Sequence, residues 1–325
     1  HATDLQNHGV WNARYRSRRK QLMTGSPRWE SDGWAYHPTN VDEVLFALNR
    51  IGTWGRGRRY AFRGVKNHQW PIRSSLQIFM RDQIGEFSVS SETRVREVER
   101  QIIGLARDWK VDDGGDASDH AVLARLQHHG TPTRLVDVTS DPMTALWFAT
   151  EPHDEWGAHG VVFAFDITSM DELVSNPAPS APTYGSIADP RGWHYEHAIE
   201  QSATRYRPFV VRPYPRDHRM AAQQGFFLAG VTPEDPEIRG VDAFPLTGEA
   251  PGAVRLSQVL GMGGRQRGFP ARIPFVAVIV PKSLKGPIRN ALASTWDRRR
   301  ETLFPDLAGL ADAIKAEPHR ATRPA

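Results

Sequence analysis

The chain contains no cysteine. Disulfides, thiolate nucleophiles and cysteine-ligated zinc are therefore excluded, which agrees with an expected cytoplasmic location. Nowhere do about 18 apolar residues run together, so no membrane-spanning helix is expected. A basic start, apolar middle and small-residue cleavage site, the mark of a secretory leader, does not occur either. No phosphate-loop lysine motif and no Gly-x-Ser-x-Gly nucleophile elbow is present. Gly261-Met262-Gly263-Gly264-Arg265-Gln266-Arg267-Gly268 misplaces the third glycine of a dinucleotide loop and follows no strand, so a Rossmann domain is not expected. His194, His197 and Glu200 share a helical spacing that zinc could use, but no further ligand is evident and no metal is expected. No repeat of about 20 to 50 residues is found.

What is present is a chain of 325 residues, 39% of them hydrophobic, enough for one large domain or two ordinary ones. Ten tryptophans offer large aromatic anchors. The formal charge is +4, unevenly placed. Arg14, Arg16, Arg18, Arg19 and Lys20 form one cluster, Arg56, Arg58, Arg59 and Arg63 a second, and Arg298, Arg299 and Arg300 a third. Such patches attract phosphates of nucleic acid or of a dinucleotide; the alternative is a solvated basic face.

Residues 1–38 read as a basic N-terminal arm, 39–317 as a single domain with an irregular excursion over 230–268, and 318–325 as a tail. Asn40 and Glu43 stand at capping-box spacing and open a helix. Tyr60–Arg63 reads as a short strand. Ser91–Lys110 reads as a helix with Val95, Val98, Ile102, Leu105 and Trp109 on its apolar face. Ala121–Gln127 suits another helix, ended by Gly130 and Pro132. Thr133–Val138 is rich in β-formers, and Asp141-Pro142 supplies the cap and first-turn proline of a helix through Ala149. Val161–Phe165, Phe226–Leu228 and Phe275–Val280 read as buried strands, Asn176–Pro190 as a loop over a site, and Asp306–Lys315 as a closing helix. Strands and helices mix without strict βαβ alternation, which predicts an α+β fold.

Polar side chains are densest in Leu126-Gln127-His128-His129-Gly130-Thr131-Pro132-Thr133-Arg134-Leu135-Val136-Asp137. Adjacent histidines at a helix end point to different faces; one would carry charge near the C-terminus, the other would hydrogen-bond to Asp137. Alternation sets Asp137 opposite Val136 and Val138, paired with Arg134 or a backbone amide. A structural polar network and a catalytic one both fit. Arg63 beside Gly64 could bring a guanidinium fork to a phosphate or ribose, or form a surface salt bridge. Thr139 through Ala149 is a strand-to-helix junction whose free donors suit an anion, although capping alone explains Asp141. Gln223 and Gln224 could orient a ribose hydroxyl, but an amide cannot act as an ionised base.

These motifs resemble the FRG domain, a bacterial family named for its Phe-Arg-Gly signature. The resemblance runs from Tyr60 to Leu310 and rests on Phe62-Arg63-Gly64, Trp70 through Leu76, Leu126 through Leu135, Asp137 through Ala149, Ala222 through Phe226, and Leu303 through Leu307. A looser similarity is to ADP-ribosyltransferases, in the strand-end Arg63-Gly64, the small hydroxyl residue at Thr139 or Ser140, and the aromatic helix after it. The late glutamate of that pattern is replaced by Gln223-Gln224-Gly225. The resemblance implies a core of small mixed or antiparallel sheets surrounded by helices, NAD as substrate without a metal, and transfer of ADP-ribose to a macromolecule, nucleic acid before protein. A toxin or phage-defence role would fit. Arg63, Asp137, Thr139 and Gln224 would then be catalytic. Phe62, Arg63, Gly64, His128, His129, Thr133, Arg134, Ser140, Trp147, Phe148 and Gln223 would line the NAD site. Trp147 or Phe148 would pack the nicotinamide, and Asp137 or Glu196 would replace the missing carboxylate. The rival expectation is a non-catalytic module that binds nucleotide or nucleic acid.

Overall fold

The computed structural model describes residues 28–54, 57–84, 91–111, 117–151, 157–174, 193–205, 207–213, 217–232, 240–241, 244–245, 250–262 and 273–316. The arginine cluster at 14–20, Arg56, the 176–190 loop, the glycine-rich segment from Gly263 to Gly268 and the 318–325 tail lie outside the described residues.

The strands are β1 (Ala35–Tyr36), β2 (Tyr60–Val65), β3 (Val136–Thr139), β4 (Gly160–Asp166), β5 (Glu172–Val174), β6 (Phe209–Arg212), β7 (Gly225–Ala229), β8 (Gly240–Val241), β9 (Phe244–Pro245) and β10 (Phe275–Val280). The helices are α1 (Arg28–Ser31), α2 (Val41–Trp54), α3 (Ser75–Phe79), α4 (Glu92–Asp108), α5 (Asp119–His128), α6 (Pro142–Ala149), α7 (Trp193–Arg205), α8 (His218–Ala222), α9 (Ala253–Leu260), α10 (Lys285–Thr295), α11 (Arg300–Leu303) and α12 (Leu307–Ala316). The α+β class read from the sequence is the one observed. Eight strands join in one mixed sheet in the order β1-β10-β4-β2-β3-β7-β6-β5, parallel only at β1–β10 and β5–β6. No described helix is long and apolar enough to cross a membrane.

One junction in that sheet differs from the rest. β2 pairs with β4 along its whole length, yet it meets β3 only at Phe62–Thr139. The sheet is thus two four-stranded halves joined at a single residue pair. Beyond Phe62 the two strands part.

Pleating sorts the apolar side chains onto two faces. Val162 and Ala164 of β4 join Phe62, Val276, Val278 and Val280 under α2, α6, α9 and α10, where Leu48, Leu146, Leu256 and Leu292 are buried. Register through Phe62–Thr139–Gly225 puts Phe227 and Ala229 on this same face, under α4, α5 and α7. On the opposite face Phe163, Phe165 and Phe275 from one half and Val138, Phe226 and Leu228 from the other form one continuous core with Trp29 and Trp34. The end of the 1–38 arm is therefore built into the fold. Within the 230–268 stretch, α9 buries Leu256, Val259 and Leu260.

Helix α4 forms where the apolar spacing predicts, capped by Ser91, but its inward face is Val95, Val98, Glu99, Ile103 and Ala106. Leu105 and Trp109 are exposed, Trp109 to 79%. The helix turns away from its best apolar stripe because Glu99 has a cationic partner inside, described below.

Helix α6 is apolar on nearly every side and lies directly on the sheet, as expected of a buried helix. A Cβ added to Gly64 would fall 1.7 Å from the carbonyl oxygen of Ala145, a backbone atom that cannot step aside. Gly64→Ala is accordingly expected to cost about 2–3 kcal/mol or prevent folding, by overpacking. Gly52→Ala, exposed in the last turn of α2 with open space at its Cβ, should stabilise by about 0.5 kcal/mol. Chemical denaturation of both variants checks the contrast.

Candidate active site

The parting of β2 and β3 leaves backbone groups without ladder partners, and Arg63 fills that gap. Its Nη1 donates to the carbonyl oxygen of Asp137 at 2.7 Å and lies 3.8 Å from the carboxylate oxygen Oδ2 of the same residue. A side-chain cation on one strand thus takes the place of a strand-to-strand hydrogen bond. Burial lowers the Arg63 pKa, with Asp137 working the other way. The guanidinium remains charged, since arginine does not lose its proton in proteins. About a quarter of the Arg63 side chain reaches solvent, against 63% of Asp137. A guanidinium has five N–H donors, so further ones can serve a ligand.

Asp137 is held from behind. Gln127, near the end of α5, donates from Nε2 to Asp137 Oδ2 at 2.9 Å. Its own oxygen accepts from the Thr133 hydroxyl at 2.7 Å and lies 3.1 Å from the Ser75 hydroxyl, which fixes the orientation of the amide. Thr133 is locked in turn: its N–H donates to Ser75 Oγ at 3.0 Å, and its Oγ1 accepts from the Leu135 N–H at 3.1 Å. Gln127 was not among the residues the sequence singled out. It stands beside two histidines whose chemistry draws more notice, and an amide carries no charge pattern to betray it.

The histidines take other roles. His128 Nδ1 lies 3.3 Å from Asp217 Oδ2, and its ring meets His129 edge-on at 5.0 Å. Asp137 is paired with Gln127 and Arg63 instead of a histidine. Nor does it pair with Arg134, which lies in the bend before β3 and turns its side chain into the interior. Arg134 is buried, donating from Nη1 to Glu92 at 2.6 Å and from Nε to Glu99 at 3.1 Å. Tyr195 completes the cluster, donating to Glu99 at 2.9 Å. Burial raises the pKa of Glu99 against the pull of Arg134, and burial with Glu99 raises that of Tyr195. Burial also opposes the Arg134 charge, but Glu99 and its neighbours outweigh it and push that pKa up. Glu196 is likewise engaged, 3.4 Å from Arg96 and 2.8 Å from Arg100.

The other end of β3 carries the glutamines. Thr139 Oγ1 donates to the Gln223 carbonyl at 2.7 Å and accepts from the Asp141 N–H at 3.0 Å. Ser140 donates from Oγ to the Gln224 side-chain oxygen at 3.2 Å. Gln223 spends its amide on the Leu303 carbonyl at 2.9 Å. Gln224 has φ +49°, a left-handed conformation that costs a non-glycine residue on the order of 1 kcal/mol. Its exposed side chain is set by that turn. Asp141 caps α6 through the N–H groups of Met143 and Thr144 and is clamped by Arg298 Nη2 at 2.8 Å. The N-terminus of α6 is therefore already satisfied by a neutralised carboxylate. Trp147 is a core residue, edge-on to Phe148 at 5.2 Å and 4.6 Å beneath the Arg289 guanidinium. Phe148 is partly buried against the same core.

Strand β3 thus joins two groups of candidate residues: Arg63, Asp137 and Thr133 through Gln127 on one side, and Thr139, Ser140, Gln223 and Gln224 on the other. Phe62 and Gly64 flank Arg63 and pack under α6. Arg134 and Trp147 belong to the interior. Among the described residues no three His, Asp or Glu side chains form a group that could hold a metal.

The fold and site define an α+β domain whose sheet is split beside a strand-borne Arg-Gly pair. Residues 58–156 match the family model of the FRG domain. The matched interval contains Arg63, Gly64, Gln127, Thr133, Asp137, Thr139 and all of α6. No curated protein and no solved structure matches the chain.

Removing the cation of a buried ion cluster strands two carboxylates, so Arg134→Met should destabilise by about 3–5 kcal/mol. Gln224→Gly relieves left-handed strain and should leave the melting temperature unchanged or higher. A thermal melt of each variant reads both effects.

Proposed function

We propose that this FRG domain is an ADP-ribosyltransferase that uses NAD as substrate, with the split between β2 and β3 as its NAD site. The observation that carries the reading is the placement of Arg63: a partly desolvated guanidinium where two strands separate, with an exposed carboxylate 3.8 Å away. In the reaction proposed, the bond between ribose C1′ and the nicotinamide nitrogen breaks and nicotinamide leaves with the electron pair. An acceptor oxygen or nitrogen bonds to C1′ and gives up its proton. Arg63 would grip the pyrophosphate or ribose. Asp137, oriented by Gln127, would face the positive charge that develops on the ribose, the role left open by the amides at Gln223 and Gln224. A preorganised charge of this kind is worth about 3–4 kcal/mol. Ser140 and Gln224 would orient a ribose hydroxyl or the acceptor, with Thr139 steadying the turn beneath them.

The acceptor is proposed to be a macromolecule, nucleic acid before protein. The described arginines of the basic clusters are largely paired: Arg58 with Asp166, Arg59 with Glu172, Arg298 with Asp141, Arg299 with Asp297 and Arg300 with Glu151. They offer nucleic acid less than their number suggests.

A second reading has one observation in its favour. The amide pair where ADP-ribosyltransferases carry glutamate suits a domain that binds a nucleotide without turning it over. Release of nicotinamide from labelled NAD, with and without DNA, RNA or cell lysate, separates the two. Arg63→Ala and Asp137→Asn should each lower turnover by about 10²–10³-fold, while Arg63→Lys, which loses the fork, recovers little of it. Binding of NAD without nicotinamide release under every condition would establish the second reading. Absence of binding would remove both.

A further inference from the structure

The register of the sheet brings three loops together at one end. Val65 pairs with Val161 and Val280 with Gly160, so the residues following β2 and β10 meet those preceding β4. Lys66 comes from the first, Lys282 and Lys285 from the second, and His159 from the third. They are tied to one another by hydrogen bonds. Lys285 Nζ donates to the carbonyl oxygen of Lys66 at 2.7 Å, and the Lys282 N–H donates to His159 Nδ1 at 3.1 Å. The latter contact commits the His159 proton to Nε2. His68 lies edge-on to His159 with ring centroids 5.3 Å apart. The Lys66 ammonium lies 5.7 Å from the Trp70 ring centroid.

These cations are not balanced. The arginines listed above each have a carboxylate, but among the described residues none of Lys66, Lys282 and Lys285 has one within ion-pair distance. Glu30 lies 3.6 Å from His37, and its charge works against burial at His68 and His159. Burial, and then Lys66, lower the Lys285 pKa to about 8. Burial also lowers His159, with Lys282 and Lys285 adding to the effect, and lowers His68. Three lysines from two loops are thus gathered with none in an ion pair among the described residues, Lys285 and Lys66 half-buried and Lys282 exposed.

We propose that this end of the sheet binds a phosphate group, with Lys66, Lys282 and Lys285 supplying charge and the His159 Nε2–H supplying a directed hydrogen bond. Phosphate fits because its tetrahedral oxygens can accept from donors on three separate loops. The group can belong to a nucleic-acid backbone or to a free phosphate compound, and the site stands independently of NAD chemistry at Arg63.

The test is fluorescence anisotropy of a labelled single-stranded oligonucleotide over a range of salt concentrations, with inorganic pyrophosphate as competitor. Lys66→Gln, Lys282→Gln and Lys285→Gln should each weaken binding and reduce the salt slope by about 1, whereas the exposed Lys315→Gln should not. Competition by pyrophosphate assigns the site to a free phosphate compound, and its failure assigns the site to the strand. NMR titration of the wild-type Lys285 ammonium gives a readout that no variant can confound: its pKa should rise from about 8 when oligonucleotide or pyrophosphate is added. No oligonucleotide or pyrophosphate binding, binding indifferent to all three lysines, or an unmoved Lys285 with both ligands would overturn the proposal.

Discussion

The hydrogen bond from the Arg63 guanidinium to the Asp137 carbonyl holds the two halves of this protein's sheet in relation to each other where their strands stop pairing. A charged donor on a backbone acceptor is worth about 1.5–3 kcal/mol, more than the neutral ladder bond it replaces. The geometry around it is unforgiving. Gly64 must lack a side chain so that α6 can lie on β2, and Phe62 must fill the core beneath that helix. The Phe-Arg-Gly triplet therefore satisfies three separate demands at adjacent positions: packing, bridging and clearance.

Two polar networks divide the remaining work. The one around Gln127 is partly exposed and neutral apart from Asp137; it orients a carboxylate without discharging it. The one around Arg134 is buried and charged, and it pins α4 and α7 to the segment entering β3. Burying an Arg with two Glu gives little net stability, but it permits one arrangement only, because any other leaves a charge unpaired. The exposed network can then be precise because the buried one fixes the backbone it stands on.

Much of the fold was legible in the sequence. The cap at Asp141 and the apolar runs of β4, β7 and β10 announced themselves through local chemistry. The inward face of α4 did not: its apolar stripe includes Leu105 and Trp109, which are exposed, while Glu99 is buried because Arg134 waits inside. That pairing spans distant parts of the chain and leaves no local trace. Of the residues in the proposed site, Arg63, Asp137, Thr139 and the glutamines stand out in the sequence by type and position. Gln127 was overlooked and Arg134 was expected at the surface network, since composition cannot tell a buried cation from an exposed one.

The central claim is that the split in the sheet is where NAD is held. A crystal structure of the protein soaked with a non-hydrolysable NAD analogue tests it most directly. The account predicts ligand density between β2 and β3, a guanidinium nitrogen of Arg63 within hydrogen-bonding distance of a phosphate or ribose oxygen, and the Asp137 carboxylate facing the nicotinamide ribose. A ligand bound elsewhere, with Arg63 touching nothing but Asp137, would contradict it.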